Sequence, residues 1–167
     1  ASCRLSLSNR PRWHVGISRV EVVPALDDSA VLAGEGSASL GVRSLQGIGF
    51  FKDLTTLWCR NNDIESIDTK RLSKLSSLRC GNCRIKALDL TNETKLSVLS
   101  CSDNPLTELK LPDSNSLIRL ECSGCLLKEL VAASRCIDYL DCSGNRLEDL
   151  NLTGKRYLEA ADCSGNR

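Results

Sequence analysis

Six cysteines recur from the middle of the chain to its end at an almost constant interval. Successive members of this set are 21, 21, 21, 20 and 21 residues apart. Such regularity limits the possible folds, because a fixed period of about 20–50 residues indicates a stack of similar structural units. The six positions are Cys59, Cys80, Cys101, Cys122, Cys142 and Cys163.

The residues around each cysteine repeat one frame, L-x-x-L-x-C-x-x-N/C-x-L-x-x-L. Five full copies follow one another, a truncated sixth begins at Leu158, and a degenerate copy with Val42 and Leu45 in frame precedes them. This is the leucine-rich-repeat pattern with cysteine in place of one aliphatic residue. We therefore predict a leucine-rich-repeat solenoid, a right-handed coil or horseshoe of 21-residue repeats, with a parallel β-sheet on its concave face.

Two columns of residues are predicted to stabilise this coil from within. In each x-x-L-x-C strand the leucine and the cysteine point inward, so the six thiols form a buried structural ladder of small apolar groups. Three residues later a turn residue recurs, whose side chain can satisfy backbone groups in the bend. The members of this turn ladder are Asn62, Cys83, Asn104, Cys125, Asn145 and Asn166.

Disulfides and zinc offer other interpretations of the cysteines. Neighbouring ladder cysteines would have parallel Cβ vectors about 4.8 Å apart, against the mean of about 3.8 Å in a disulfide, which favours reduced thiols. The pairs Cys80-x-x-Cys83 and Cys122-x-x-Cys125 have zinc-knuckle spacing. They lie two repeats apart, roughly 10 Å, which is too far for one ion with bonds to sulfur of about 2.3 Å. No metal or other cofactor is therefore predicted.

Catalysis by a cysteine is also disfavoured. A nucleophilic thiol needs a base and an accessible setting, and the chain has a single histidine, His14, outside the repeats. The sequence therefore predicts that the chain is not an enzyme. Cys3 and Cys136 fall outside the ladder, and the sequence leaves open whether they are free or bridged to each other.

The chain divides into residues 1–40 and 41–167. The first segment alternates at Trp13, Val15 and Ile17, which predicts strands that cap the apolar end of the array. A small separate β module is the alternative. The second segment is the repeat array, which stops within its sixth copy, so we expect the chain to be a piece of a longer protein.

The outward strand positions are the predicted binding surface. Read across the repeats, they run from basic residues with a tryptophan to acidic residues with a tyrosine, and aromatic residues and arginine dominate protein-binding hot spots. One pole comprises Trp58, Arg60 and Arg79, and the other comprises Glu121, Tyr139, Asp141 and Asp162. Arg119 is a further candidate on this surface. The alternative is a solvated sheet face whose charges only keep the protein in solution.

Bulk composition narrows the class of partner. The chain has 22 Lys and Arg against 21 Asp and Glu, so its net charge of +1 gives no reason to expect nucleic acid. No apolar run approaches the roughly 18 residues of a membrane span. A protein ligand, bound by a monomeric array, is the remaining expectation.

The segment "SLQGIGFFKDLTTLWCRNNDIESID" and the repeats that follow it resemble the bacterial cysteine-ladder leucine-rich-repeat surface proteins, the internalin J-like family. The resemblance implies a secreted or cell-surface protein that binds other proteins, such as an adhesin. The alternative is an intracellular scaffold or a secreted effector, in host or bacterial cytoplasm, whose repeats recognise substrates for a missing catalytic domain. This chain departs from the family in its "IDTKRLSK", "LKLPDSNS" and "LVAASR" segments and in its strand-like cap.

Overall fold

The molecule, a computed structural model, is a solenoid whose regular secondary structure in the described residues consists of short parallel strands and one 3-10 helix. The structure describes residues 2–5, 18–22 and 41–167, and within these the side chains of 18–21 and 41–167. Its elements are β1 (Ser2–Leu5), β2 (Arg19–Val22), a 3-10 helix (Ile48–Phe50), β3 (Thr56–Trp58), β4 (Ser77–Arg79), β5 (Ala87–Asp89), β6 (Val98–Ser100), β7 (Glu108–Lys110), β8 (Arg119–Glu121), β9 (Tyr139–Asp141) and β10 (Ala160–Asp162). The predicted leucine-rich-repeat fold is confirmed.

Eight of the strands form one parallel sheet in the order β1-β2-β3-β4-β6-β8-β9-β10. Each repeat pairs with the next in a constant register, as in Leu57 with Leu78 and Leu78 with Leu99. This register follows from the 21-residue period, which brings equivalent residues of successive turns side by side. Strands β1 and β2 continue the sheet at its N-terminal end, so β2 lies beside the first full repeat. Trp13, Val15 and Ile17 lie outside the described residues.

The core is a set of stacked aliphatic and thiol layers. The strand leucines and the consensus leucines and isoleucines of the turns are buried, among them Leu57, Leu78, Leu99 and Leu120 at 0% exposure. Each turn contributes only a few apolar side chains, so burial depends on the turns above and below it.

A second, two-stranded sheet lies on the opposite side of the coil, where β5 pairs with β7. Leu88 and Leu109 point into the core from this sheet, while the residues on either side of each are exposed. The sequence analysis did not predict this sheet. The alternation of one buried residue between two exposed ones was its only signal, and three residues are too few to separate a strand from an extended loop.

Candidate functional site: the outer face of the sheet

The face of the eight-stranded sheet that points away from the core carries the predicted binding residues. We call it the outer face. Its central row follows the strand register and contains Glu21, Trp58, Arg79, Ser100, Glu121, Asp141 and Asp162. A flanking row contains Arg19, Thr56, Ser77, Val98, Arg119, Tyr139 and Ala160. Adjacent members of a row belong to strands about 4.8 Å apart, so side chains interact along the row.

At the N-terminal end of this face, two arginines stack on one tryptophan. The guanidinium carbon of Arg19 lies 3.7 Å from the centroid of the Trp58 ring, and that of Arg79 lies 4.9 Å from it. Arg60 follows Trp58 by two residues and is exposed. We call Arg19, Trp58, Arg60 and Arg79 the basic pole.

The sequence analysis placed Trp58, Arg60 and Arg79 together and missed Arg19. Residue 19 precedes the recognisable repeats, and only the pairing of β2 with β3 brings it to Trp58. The same pairing places Glu21 next to Trp58, so the pole is not purely basic. The indole Nε1 of Trp58 is buried and makes no hydrogen bond within the described part of the molecule.

At the C-terminal end, a second arginine–aromatic stack is combined with carboxylates. The Arg119 guanidinium carbon lies 3.8 Å from the Tyr139 ring centroid. Its Nη2 lies 2.6 Å from Oε1 of Glu121, and its Nε donates a hydrogen bond of 2.7 Å to the same oxygen. Burial alone would raise the pKa of Glu121, but hydrogen bonds from Ser100 and Arg119 hold it below its usual value.

Two further aspartates extend the central row beyond Glu121. Asp141 accepts hydrogen bonds from the backbone N–H and the hydroxyl of Ser143. Hydrogen bonds from the hydroxyl and backbone N–H of Ser164 lower the pKa of Asp162. We call Glu121, Asp141, Asp162 and Tyr139, together with the stacked Arg119, the acidic pole. The structure therefore brings the predicted residues into two groups, with the uncharged Ser77, Val98 and Ser100 between them.

The ladder cysteines lie beneath this face and do not contribute to it. Cys59, Cys80, Cys101, Cys122 and Cys142 are fully buried and free. Cys163, in the last turn of the structure, differs from the expectation, because its side chain is exposed. Cys136 is a half-buried free thiol. The side chain of Cys3 lies outside the described residues.

Burial makes the ladder thiols poor nucleophiles. Desolvation, with a smaller effect of neighbouring sulfurs, raises the pKa of Cys80 and Cys101 well above the usual value. The pKa of Cys142 is raised to about 11 by the same burial and by Cys163. A thiol with a raised pKa is not ionised at neutral pH and is neither an effective nucleophile nor a metal ligand. Within the described ranges no group of three or more His, Cys, Asp or Glu side chains could hold a metal ion.

The turn residues are engaged in structural hydrogen bonds. The amide nitrogen of Asn104 donates to the carbonyls of Cys80, Cys101 and Ser102, and its Oδ1 accepts from the N–H of Ile85. Asn62, Asn145 and Asn166 make corresponding bonds. The thiols of Cys83 and Cys125 donate instead, to carbonyls of the preceding turn and of their own turn. These side chains belong to the scaffold and leave the outer face as the candidate site.

The residue before each turn residue has a left-handed backbone, which the sequence analysis also missed. Asn61, Asn82 and Asp103 have φ of 58°, 51° and 58°, and Gly124, Gly144 and Gly165 take the same conformation. Asn, Asp and Gly are the residue types that tolerate it. Their recurrence at this one column was the available signal.

Comparison with known proteins gives matches among solved structures only. No family model matches the chain, and no curated protein is similar enough to count as a relative. The functional domain of InlJ from Listeria monocytogenes, which includes a cysteine ladder, is 27% identical with a TM-score of 0.71, and the match covers 90% of this chain and 30% of that one. A leucine-rich-repeat protein of Leptospira interrogans is 15% identical with a TM-score of 0.66, over 92% of this chain and 43% of that one.

The present chain thus spans less than half the length of either solved chain. The likeness to the Leptospira protein concerns the fold alone, whereas that to the Listeria domain includes the cysteine column. No helix among the described residues is long and apolar enough to cross a membrane.

Proposed function

Since the chain is a cysteine-ladder leucine-rich-repeat protein of the internalin J-like kind, we propose that it is a protein-binding module whose ligand surface is the outer face of the eight-stranded sheet. One observation supports this most directly. The constant strand register gathers aromatic and charged side chains from six repeat strands and from β2 into rows, with a basic pole at one end and an acidic pole at the other.

The composition of this face supports the proposal. Trp58 and Tyr139 are half-buried, and each is covered by a stacked arginine that holds it in place. Preordered aromatic and arginine side chains lose little conformational entropy on binding, which is why they dominate hot spots. The opposite charges at the two ends orient a partner during approach.

The distance between the poles sets the size of the partner's contact. Five strand spacings separate Trp58 from Asp162, about 24 Å at about 4.8 Å per strand. An extended segment of about seven residues spans that distance. A folded domain of ordinary size also spans this distance. A contact surface about 24 Å long is compatible with a standard protein–protein interface.

Quantitative capture tests the proposal. The chain and its variants W58A and Y139A are immobilised, incubated with extract of the source organism or its host, and the retained proteins are measured by mass spectrometry. Y157A is the matched control, because Tyr157 is 65% exposed in the turn before β10, outside the outer face. We expect at least one protein to be retained by the wild type and by Y157A and lost from both face variants. An unchanged retained set would argue against the outer face.

We also propose that the chain works outside the cytoplasm, as an exported or surface-attached binding protein such as an adhesin, and as a monomeric array. The resemblance to the internalin J-like family supports the location. The nine described cysteines are free, which also suits a reducing compartment, but burial of seven of them protects them from oxidants in either place. Cell fractionation with an antibody against the chain tests this, and recovery in the cytoplasmic fraction would favour the scaffold or effector alternative.

A further inference from the structure

The two poles contain the same structural motif, an arginine stacked on an aromatic ring of the neighbouring strand. In the acidic pole Arg119 of β8 covers Tyr139 of β9, and in the basic pole Arg19 of β2 covers Trp58 of β3. Stacking leaves the N–H groups along the edge of the guanidinium plane available for a planar anion. The two motifs therefore differ in what binds that edge.

In the acidic pole the chain supplies the anion itself. Oε1 of Glu121 lies within 2.7 Å of both Nε and Nη2 of Arg119, so the guanidinium is neutralised by a carboxylate of its own strand. This pole is a complete motif of ring, guanidinium and carboxylate.

In the basic pole Glu21 lies two residues after Arg19, as Glu121 lies two residues after Arg119, but no ion pair joins it to Arg19 in the described part of the chain. The ion pairs of the described residues join Lys74 to Asp53, Arg84 to Asp63, Lys110 to Glu108 and Arg119 to Glu121. None of them involves Arg19, Arg60 or Arg79, although Arg19 and Arg79 are both fixed against one ring. Two guanidinium groups thus lie on the Trp58 ring, and a third arginine, Arg60, follows it by two residues, so positive charge exceeds negative charge even with Glu21 next to the ring.

We propose that the basic pole binds the carboxylates of an acidic segment of a partner protein, at the guanidinium edges of Arg19 and Arg79. The inference rests on the proposed function, because it assigns part of the partner's chemistry to one end of the outer face. It also gives β2 a second role, since this strand of the N-terminal segment supplies one of the binding arginines.

The geometry favours a short acidic run over a single carboxylate. Arg19 and Arg79 belong to the strands on either side of β3, so their Cα atoms lie about two strand spacings apart, roughly 10 Å. Carboxylates three residues apart in an extended segment match this separation. Asp141 lies three strands beyond Arg79, about 14 Å away, where its charge repels the acidic run and confines it to the basic pole.

Binding of a labelled tetraglutamate peptide tests the inference. The whole 167-residue chain is titrated into the fluorescein-labelled peptide at low and at physiological salt, and fluorescence anisotropy is recorded. The variants are R19Q and R79S, the latter introducing the residue type that Ser100 has in the same row. The control is R146S, which removes the same charge at an exposed turn outside the face. Tetraglutamine, phosphoserine and sulfotyrosine peptides are the comparison probes.

We expect tetraglutamate to bind the wild type and R146S equally, and R19Q and R79S about tenfold more weakly, as for the loss of one charge-assisted partner. R19K and R79K should recover only part of the affinity, because an ammonium lacks the planar fork. Equal weakening by R146S would mean nonspecific charge attraction and would overturn the inference. Tighter binding of the phosphorylated or sulfated peptides than of tetraglutamate would overturn the assignment to carboxylates.

The outcome can be separated from that of the proposed function. If tetraglutamate fails to bind while W58A still loses a captured protein, the inference is wrong and the outer face remains a binding surface. If W58A and Y139A both retain every captured protein, the proposed function fails, whatever the peptide does.

Discussion

The turns of the solenoid are of two kinds, and their difference shows what the coil requires. Four turns place an asparagine after the ladder cysteine, and two place a second cysteine there, at Cys83 and Cys125. An asparagine has two amide hydrogens and a carbonyl oxygen, so it bonds two turns at once. A thiol is a weak donor and a weak acceptor, and the Sγ of Cys83 lies 3.3 Å from the carbonyl oxygen of Cys59 and 3.8 Å from that of Gly81.

From Asn62 to Asn145 the two kinds of turn alternate, and in this order no buried ladder carbonyl depends on a thiol alone for a hydrogen bond. Asn104 donates to the carbonyls of both Cys80 and Cys101, and Asn145 to those of Cys122 and Cys142. A cysteine turn therefore always lies between two asparagine turns, and every ladder carbonyl from residue 59 to residue 142 receives an amide N–H. The coil tolerates thiols at this position because the asparagines of neighbouring turns donate to the ladder carbonyls of two turns.

The largest expected effect is a loss of stability at alkaline pH, caused by the buried thiols of the ladder and of the two cysteine turns. Burial raises the pKa of Cys59, Cys80, Cys101, Cys122 and Cys142 in the folded state. In the unfolded chain the thiols titrate near the usual value of about 8.5. Between these values the folded state holds more protons than the unfolded state, so the free energy of unfolding falls as pH rises.

The slope approaches about 1.4 kcal/mol per pH unit for each thiol that is ionised only in the unfolded chain. Denaturant unfolding followed by circular dichroism at a series of pH values measures it. The double variant C83N/C125N removes two further thiols with raised pKa and should have a shallower slope than the wild type. Constant stability from pH 8 to about 10.5 would contradict a buried, protonated ladder.

The second prediction breaks the alternation. N104C would place three cysteine turns in succession, so that the carbonyls of Cys80 and Cys101 depend on thiols alone and the N–H of Ile85 loses its amide acceptor. Unsatisfied buried groups cost about 1–3 kcal/mol each, and we expect a loss of about 3 kcal/mol in the free energy of unfolding. N166C is the control, because the carbonyl of Cys142 keeps its bond from Asn145. Equal losses in the two variants would show that the alternation does not matter.

The residue before the turn offers a smaller effect. G124A introduces a Cβ at φ 62° and within 2.6 Å of Oδ1 of Asp103. The left-handed conformation costs a non-glycine residue about 1–2 kcal/mol, and the Asp103 side chain can move aside, so we expect a loss in that range. G144A, whose new Cβ would lie 3.5 Å from its nearest neighbour, should lose slightly less. Thermal unfolding compares the two, and a larger loss in G144A would contradict the steric account.

The residues changed in these variants also show which features of the structure could be predicted from the sequence. The 21-residue period predicts the solenoid, the buried cysteine column and the outward rows, because each follows from placing equivalent residues side by side. The bonds of Asn104 to two successive turns do not follow from the period, since they depend on the direction of a side chain. Arg19 could not be placed, because the register of a strand outside the repeats is set by pairing and not by the pattern. Cys163 was predicted from the pattern to be buried, whereas exposure depends on what lies beyond the last turn.

The smallest effect is a gain and tests the comparison most closely. In C83N the new amide can donate to the carbonyls of Cys80 and Gly81. Its oxygen can accept from the N–H of Ile64, which in the wild type faces the sulfur of Cys83. We expect about 1 kcal/mol of added stability, the net value of an additional buried hydrogen bond. If the alternation is correct, C83N should also restore a donor to the carbonyl of Cys80 when Asn104 is replaced.

A double-mutant cycle of C83N and N104C therefore carries the sharpest prediction. The gain from C83N should be larger in the N104C background than in the wild type, with a coupling of about 1 kcal/mol measured from denaturant midpoints. C125N combined with N62C is the matched control, because these two positions lie three turns apart and share no carbonyl. Strict additivity in the first pair would mean that each turn is stabilised independently. The alternation of asparagine and cysteine would then have no role in satisfying the ladder carbonyls.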